Sequence, residues 1–245
     1  YNGGLQIYST KDSNIQNILE NSFNNDELFP NVVYKYDVTY TVSTENSTTG
    51  KQEHKDYRQF VKTIEEGDAF VANKKAEIES NLGPDETIIA DKVSFSTQPQ
   101  SSMVIMDYKT GNVTALIGGR GEKTVNRGFN RATDAKRQPG SVFKVLASYA
   151  PAIDTGVLMP GSVLVDEPIT IGNYSPKNWY GEGYKGPSTV REGIEQSMNI
   201  LAVKAMNMVG VDAAYNYLLN FGFTTLENDN HLSTALGGIT YGVTQ

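Results

Sequence analysis

Arg137-Gln138-Pro139-Gly140-Ser141-Val142-Phe143-Lys144 joins a turn to an apolar, helix-competent run that extends to Ala150. Pro139-Gly140 is turn chemistry, and a helix opening at Ser141 puts positions 141 and 144 on one face. The Lys144 amine then lies close to the Ser141 hydroxyl. A desolvated lysine of lowered pKa can take the serine proton, which activates a serine without histidine. The helix N-terminus also offers free backbone N–H groups to a developing oxyanion. Ser-x-x-Lys is short enough to arise by chance in a chain of 245 residues, so it needs support from elsewhere.

Towards the C-terminus, Pro151 should kink or reset this helix before Gly156 stops it. Thr189-Val190-Arg191-Glu192 is a capping box that predicts a helix start. Ser197-Met198-Asn199 then supplies a hydroxyl and an amide in a turn between two helices. The next helices are expected at Ile200 to Val209, ending at Gly210, and at Asp212 to Phe221, ending at Gly222. In Ser-x-x-Lys enzymes a Ser-x-Asn motif lies across the pocket and relays a proton. Ser22-Phe23-Asn24 has the same pattern, but it precedes Ser141 at a helix end and is read as capping. Lys109-Thr110-Gly111 has the letters of the third motif of such enzymes. It falls between two strands, Met103 to Asp107 and Asn112 to Ile117, where Thr-Gly makes a hairpin turn. No Lys-Thr-Gly or Lys-Ser-Gly follows Asn199.

Towards the N-terminus, Leu5 to Thr10 alternates like a short strand, and Asp12 to Phe23 has helical spacing of Ile15, Ile18, Leu19 and Phe23. Val32 to Val42 reads as a strand, Glu45 to Gly50 as a polar turn and Asp68 to Leu82 as a helix. Residues 31–93 are therefore taken as a small acidic α+β insert, after a linker segment at 1–30 and before 94–245.

The composition is that of a folded chain: 38% hydrophobic, 10% aromatic, net charge −7. The charge is uneven. Residues 1–100 hold 9 basic and 16 acidic side chains (9 − 16 = −7), whereas residues 101–245 hold 12 of each. Lys109, Arg120, Lys123, Arg127, Arg131, Lys136, Arg137 and Lys144 make 108–144 locally positive, either for an anionic ligand or as a solvated face. The acidic balance argues against a general nucleic-acid binder. There is no cysteine, which fits an extracytoplasmic protein, and the only histidines, His54 and His231, are isolated. This excludes His-rich metal sites and leaves a Ser-His-Asp triad short of candidates. No run approaches the roughly 20 apolar residues of a membrane span.

Several motifs in one order carry a resemblance. Asp107, Thr110-Gly111, Gly118-Gly119, Phe129-Asn130-Arg131-Ala132 and Arg137 to Lys144 resemble the transpeptidase domain of class A penicillin-binding proteins. Gly3 to Thr10 is similar to that family's linker, Tyr174 to Asn199 to its second-motif region, and Leu236-Gly237-Gly238 with Gly242-Val243-Thr244 to the stretch before its third motif. The resemblance covers 1–30 and about 94–245. It implies the α/β (α+β) fold of penicillin-binding proteins and serine β-lactamases, an antiparallel sheet flanked by helices and incomplete at the C-terminus. The helix at Ser141 should then be buried through Val142, Phe143, Val145 and Leu146.

The implied activity is a penicillin-sensitive D,D-transpeptidase that cross-links peptidoglycan stem peptides and needs no cofactor. Ser141 would attack the bond between the terminal D-alanines with Lys144 as base. Ser197 would pass a proton to the leaving D-alanine, and Asn199 would hold Lys144 or the substrate amide. Trp179 is placed at the pocket rim for substrate binding, with core packing as the other reading. Expected partners are the D-Ala-D-Ala donor, an amine acceptor, β-lactams and a further polypeptide carrying Lys-Thr-Gly. The expected location is the extracytoplasmic face of the bacterial membrane, with an anchor upstream. One alternative is a serine β-lactamase or D,D-carboxypeptidase, for which Glu227 would have to activate a deacylating water. Another is a non-catalytic penicillin sensor on the same fold.

Overall fold

The structure is a computed structural model that describes residues 3–4, 6–121, 123, 128–181 and 183–245. It divides into two bodies, Tyr1–Asp134 with Gln245, and Ala135–Thr244.

In the first body, residues 6–10 form no strand, and Ile7 and Tyr8 are exposed; Leu5 lies outside the described residues. Asp12 caps the helix α1 (Ser13–Asn24), its carboxylate accepting the N–H groups of Asn14 and Ile15. Leu19 and Phe23 of α1 pack on Ala115 of a hairpin, β4 (Met103–Met106) with β5 (Val113–Ile117). The hairpin turn contains Lys109-Thr110-Gly111. Asp107 accepts the Lys109 N–H at 2.9 Å and the Thr110 hydroxyl at 3.0 Å, and Gly111 takes φ +73°. That triplet is a turn. Ser22 also sits in a helix, where its hydroxyl donates to the Ile18 carbonyl instead of capping.

Between these elements lies a three-stranded antiparallel sheet in the order β2-β1-β3: β1 (Tyr36–Asn46), β2 (Gln52–Val61) and β3 (Glu86–Thr97). β1 begins at Tyr36, not at Val32, because Tyr36 is the first residue with partners on both sides, Val61 and Thr97. Val33 and Tyr34 stay exposed while Val38, Tyr40 and Val42 are buried. The helix α2 (Ile64–Asn81) starts four residues before Asp68 because Thr63 caps it. Glu66 completes the cap by accepting the Lys62 N–H at 2.8 Å. β3 continues beyond residue 93 to Thr97.

The second body is built round α5 (Asn199–Val209), whose Ile200, Leu201, Ala202, Val203, Ala205 and Met206 are all buried. A helix that buries six of its eleven residues belongs in a core. Around it stand α3 (Ala150–Asp154), α4 (Val190–Glu195), α6 (Val211–Asn220) and a ribbon of β6 (Val163–Asp166) with β7 (Gly186–Thr189). The Thr189–Glu192 capping box starts α4, and Gly210 (φ +94°) and Gly222 (φ +93°) end α5 and α6. The described strands thus pair antiparallel throughout, in three small sheets.

The segment opening at Gly140 is a 3-10 turn (Gly140–Val142), then a π-helical turn (Val145–Tyr149) that leads into α3. Pro151 accounts for the π turn. It has no N–H to give and its ring would strike the carbonyl four residues back, so the ladder widens by one residue, with the Ala150 N–H on the Val145 carbonyl.

Candidate active site

Phe143 and Lys144 are buried, and so are Ala147, Ser148 and Tyr149. The expectation that Val142 and Val145 also bury fails: they are 75% and 45% exposed. The physical reason is helical phase. Val145 lies one turn beyond Ser141 and shares its open side, whereas Phe143 and Ala147 point the other way, into a cluster with Leu218, Leu226 and Ile239.

Lys144 ends on the second motif. Its Nζ donates to the Ser197 carbonyl at 2.6 Å and bonds to Ser197 Oγ at 2.9 Å. Among the described residues no hydrogen bond joins it to Ser141, which is exposed. Burial pulls the Lys144 pKa from 10.5 down to about 8, so about a tenth of it is neutral at pH 7.

Ser197 owes its position to the end of α4. The N–H of Ser197 bonds to the Ile194 carbonyl and that of Met198 to the Gly193 carbonyl, at 3.1 and 2.9 Å. That pair of bonds is a Schellman ending, which wants glycine in the left-handed region; here Ser197 occupies it at φ +50°. Asn199 opens α5, and its Nδ2 donates to the Lys177 carbonyl at 2.7 Å. It holds the Lys177 carbonyl instead of Lys144. Trp179 is 68% exposed, which excludes core packing, and its Nε1 donates to the Gln196 carbonyl at 2.9 Å. The Trp179 ring is therefore tied to the residue before Ser197.

Two residues missed in the sequence hold this turn. Asn178 Oδ1 accepts the N–H of Asn199 at 2.9 Å and of Ile200 at 3.3 Å, capping α5 from outside because Met198 cannot. Asp166 in turn accepts from Asn178 Nδ2 (2.7 Å), the Tyr180 hydroxyl (2.5 Å) and the Lys185 N–H (2.8 Å). Burial opposes its charge, yet these three donors outweigh burial and hold its pKa below the ordinary carboxylate value. The only sequence signal was polar residues in a loop, and nothing there says which carbonyls and amides they serve.

Gly140 is braced from the other side of the chain. Gln138 exchanges two hydrogen bonds with the Ile239 backbone, its Oε1 accepting the Ile239 N–H at 2.8 Å and its Nε2 donating to the Ile239 carbonyl. Gly237, at φ +79°, lies so close that a Cβ there would run into the Gly140 backbone. Arg137 and Val243 form a two-bond antiparallel bridge at 2.8 and 2.9 Å.

Residues 101–239 match the family described as the penicillin binding protein transpeptidase domain. The chain belongs to that family. It is 42% identical over 144 residues to penicillin-binding protein 1F of Bacillus subtilis, covering 59% of this chain and 19% of the relative. It is 39% identical over 153 residues to penicillin-binding protein 1A of Clostridium tetani, with the same shares, 59% and 19%. The chain thus spans about a fifth of the length of these relatives. Its fold is similar to a crystal structure of penicillin-binding protein 1A from Haemophilus influenzae, at TM-score 0.52 and 22% identity, over 99% of this chain and 35% of that one.

Glu227 is exposed, and among the described residues its carboxylate bonds to none of Ser141, Lys144, Ser197 or Asn199. Within the positive segment, Arg120 is consumed internally by Asp26 and the Phe29 ring, and Lys144 by Ser197; Arg127 lies outside the described residues. His54 bonds to Ser43, and His231 to Ser233 and Thr234. Among the described residues there is no group of His, Cys, Asp and Glu able to hold a metal ion, and no helix long and apolar enough to cross a membrane.

Proposed function

We propose that this chain carries the acylating half of a D,D-transpeptidase site that cross-links peptidoglycan stem peptides. Ser141 Oγ attacks the carbonyl between the two terminal D-alanines while neutral Lys144 takes its proton. Ser197, bonded to Lys144, passes a proton to the leaving D-alanine amine. An amine of a neighbouring stem peptide then attacks the acyl-enzyme and frees Ser141. β-Lactams acylate the same serine. Trp179 is the rim contact for substrate, and Asn199 holds the loop that bears it. The observation that carries this reading is the buried Lys144 amine, its pKa near 8, bonded to Ser197 Oγ.

In the same reading, residues 1–30 are a linker, 31–93 an insert and 94–245 the N-terminal part of a transpeptidase domain. The Lys-Thr-Gly strand belongs to polypeptide outside this chain, and the enzyme works on the extracytoplasmic face of the membrane. The test uses the full-length protein and fluorescent penicillin. Covalent label on Ser141 that disappears in Ser141→Ala is expected; undiminished labelling of that variant overturns the assignment. Release of D-alanine from a D-Ala-D-Ala peptide distinguishes a transpeptidase from a sensor, and rapid turnover of penicillin would identify a β-lactamase.

A further inference from the structure

Asp229 is buried in a stretch otherwise made of exposed polar residues, Glu227 to His231. Its carboxylate is fully engaged. Oδ1 accepts the Thr240 N–H and the Thr240 hydroxyl, both at 2.8 Å, and Oδ2 accepts the Glu227 N–H at 2.9 Å. The Asp229 carbonyl accepts the Thr234 hydroxyl, and the His231 ring stands 3.8 Å from Oδ1. One side chain therefore ties both ends of the 227–240 segment together. Within that segment sits Gly237, pressed on the Gly140 backbone, and beside Thr240 sits Ile239, gripped by Gln138. Gln138 and Gly140 are the residues that lead into Ser141.

We propose that Asp229 is a positioning residue for the nucleophile: through Thr240, Ile239 and Gly237 it fixes the Gln138-Gly140 turn and hence the direction of Ser141. A carboxylate is suited to this task because it accepts three hydrogen bonds in two directions without donating any. An amide at the same place must present an N–H to either the Glu227 or the Thr240 donors, so one contact turns repulsive. Misplacing a reacting atom by about 1 Å costs on the order of 10²-fold in rate, while the rest of the pocket goes on binding as before.

This inference rests on Ser141 being the acylated residue, and labelling of the unaltered protein at Ser141 checks that separately. The experiment follows the rate and the final stoichiometry of acylation by fluorescent penicillin in the full-length protein. Asp229→Asn should reach the same stoichiometry at about 10- to 100-fold lower rate, with the non-covalent binding constant changed by less than about 3-fold. A lower stoichiometry at an unchanged rate per labelled molecule means that Asp229 only supports folding, and overturns the proposal. So does an unchanged rate. If Asp229→Asn does not fold, Thr240→Val removes only the hydroxyl bond and should slow acylation by about 3- to 10-fold; a wild-type rate there is equally fatal. Because Gln138 acts on the same turn, Asp229→Asn combined with Gln138→Leu should cost less than the product of the single effects. Independent, multiplicative effects would show that no common strap exists.

Discussion

Ser141 and Lys144 stand out as candidates in the sequence because the pattern is local: a serine, a lysine three residues on and a Pro-Gly turn before them. What the letters do not contain is the partner of the lysine. Its amine reaches Ser197, 53 residues away, at 2.9 Å, and is buried there. That burial makes a pH prediction. With the folded pKa near 8, acylation of Ser141 should fall about tenfold for each pH unit below 8 and level off above it, as lysine gives up its proton. An ordinary lysine would keep gaining to beyond pH 10. The stability linkage has the same sign. The unfolded lysine binds more protons than the folded one between pH 8 and about 10.4, so stability rises with pH across that window and is flat below it. Labelling rates and urea midpoints measured from pH 6 to 10 check both. A rate that keeps climbing past pH 9 would show that Lys144 is not held at a lowered pKa.

At the scale of elements, helix ends were easier to read than strands. Asp12, the Thr189–Glu192 box, Gly210 and Gly222 each act within one turn of their own residue, and each is where the sequence puts it. β2 carries Gln52-Glu53-His54-Lys55-Asp56 along an exposed run, so it has no apolar alternation to reveal it. It exists because β1 pairs with it from Tyr36↔Val61 to Glu45↔Gln52. The end of α4 shows a local rule broken at the proposed site. A left-handed residue after a helix should be glycine, and a serine there costs about 1–2 kcal/mol. The hydroxyl facing Lys144 is the compensating gain. Comparing Ser197→Gly with Ser197→Ala separates the two effects, since both remove the hydroxyl and only glycine relieves the backbone. Both variants should acylate slowly and to a similar degree, with Ser197→Gly about 1 kcal/mol more stable than Ser197→Ala by chemical denaturation. Equal stabilities would mean that position 197 carries no backbone strain; a Gly variant that acylates at the wild-type rate would remove Ser197 from the proton relay.

On the scale of the whole chain, acidity and the proposed chemistry are carried by different parts. Residues 36–97 hold 7 basic and 12 acidic side chains, so 7 − 12 = −5 of the net −7 belongs to the three-stranded sheet and its helix. Ser141, Lys144, Ser197, Asn199 and Asp229 all lie in the second body, Ala135–Thr244. The sheet also enters and leaves at one place. Tyr36 at the start of β1 pairs with Thr97 at the end of β3, and the Gln98 N–H bonds to the Lys35 carbonyl at 2.8 Å. Antiparallel partners stand about 5 Å apart, so two or three glycines can join Lys35 to Gln98 without stretching the chain, and closing so short a loop costs little entropy. Excision of 36–97 from the full-length protein should therefore leave a folded molecule whose charge from this chain is −2. Its Ser141 should label with fluorescent penicillin at a rate within about 3-fold of the parent, because the groups that act on the serine are untouched. A soluble, cooperatively unfolding variant that no longer labels would show that the acidic unit takes part in acylation. A variant that labels normally but has lost transfer to an amine acceptor would place the unit's contribution after the acyl-enzyme.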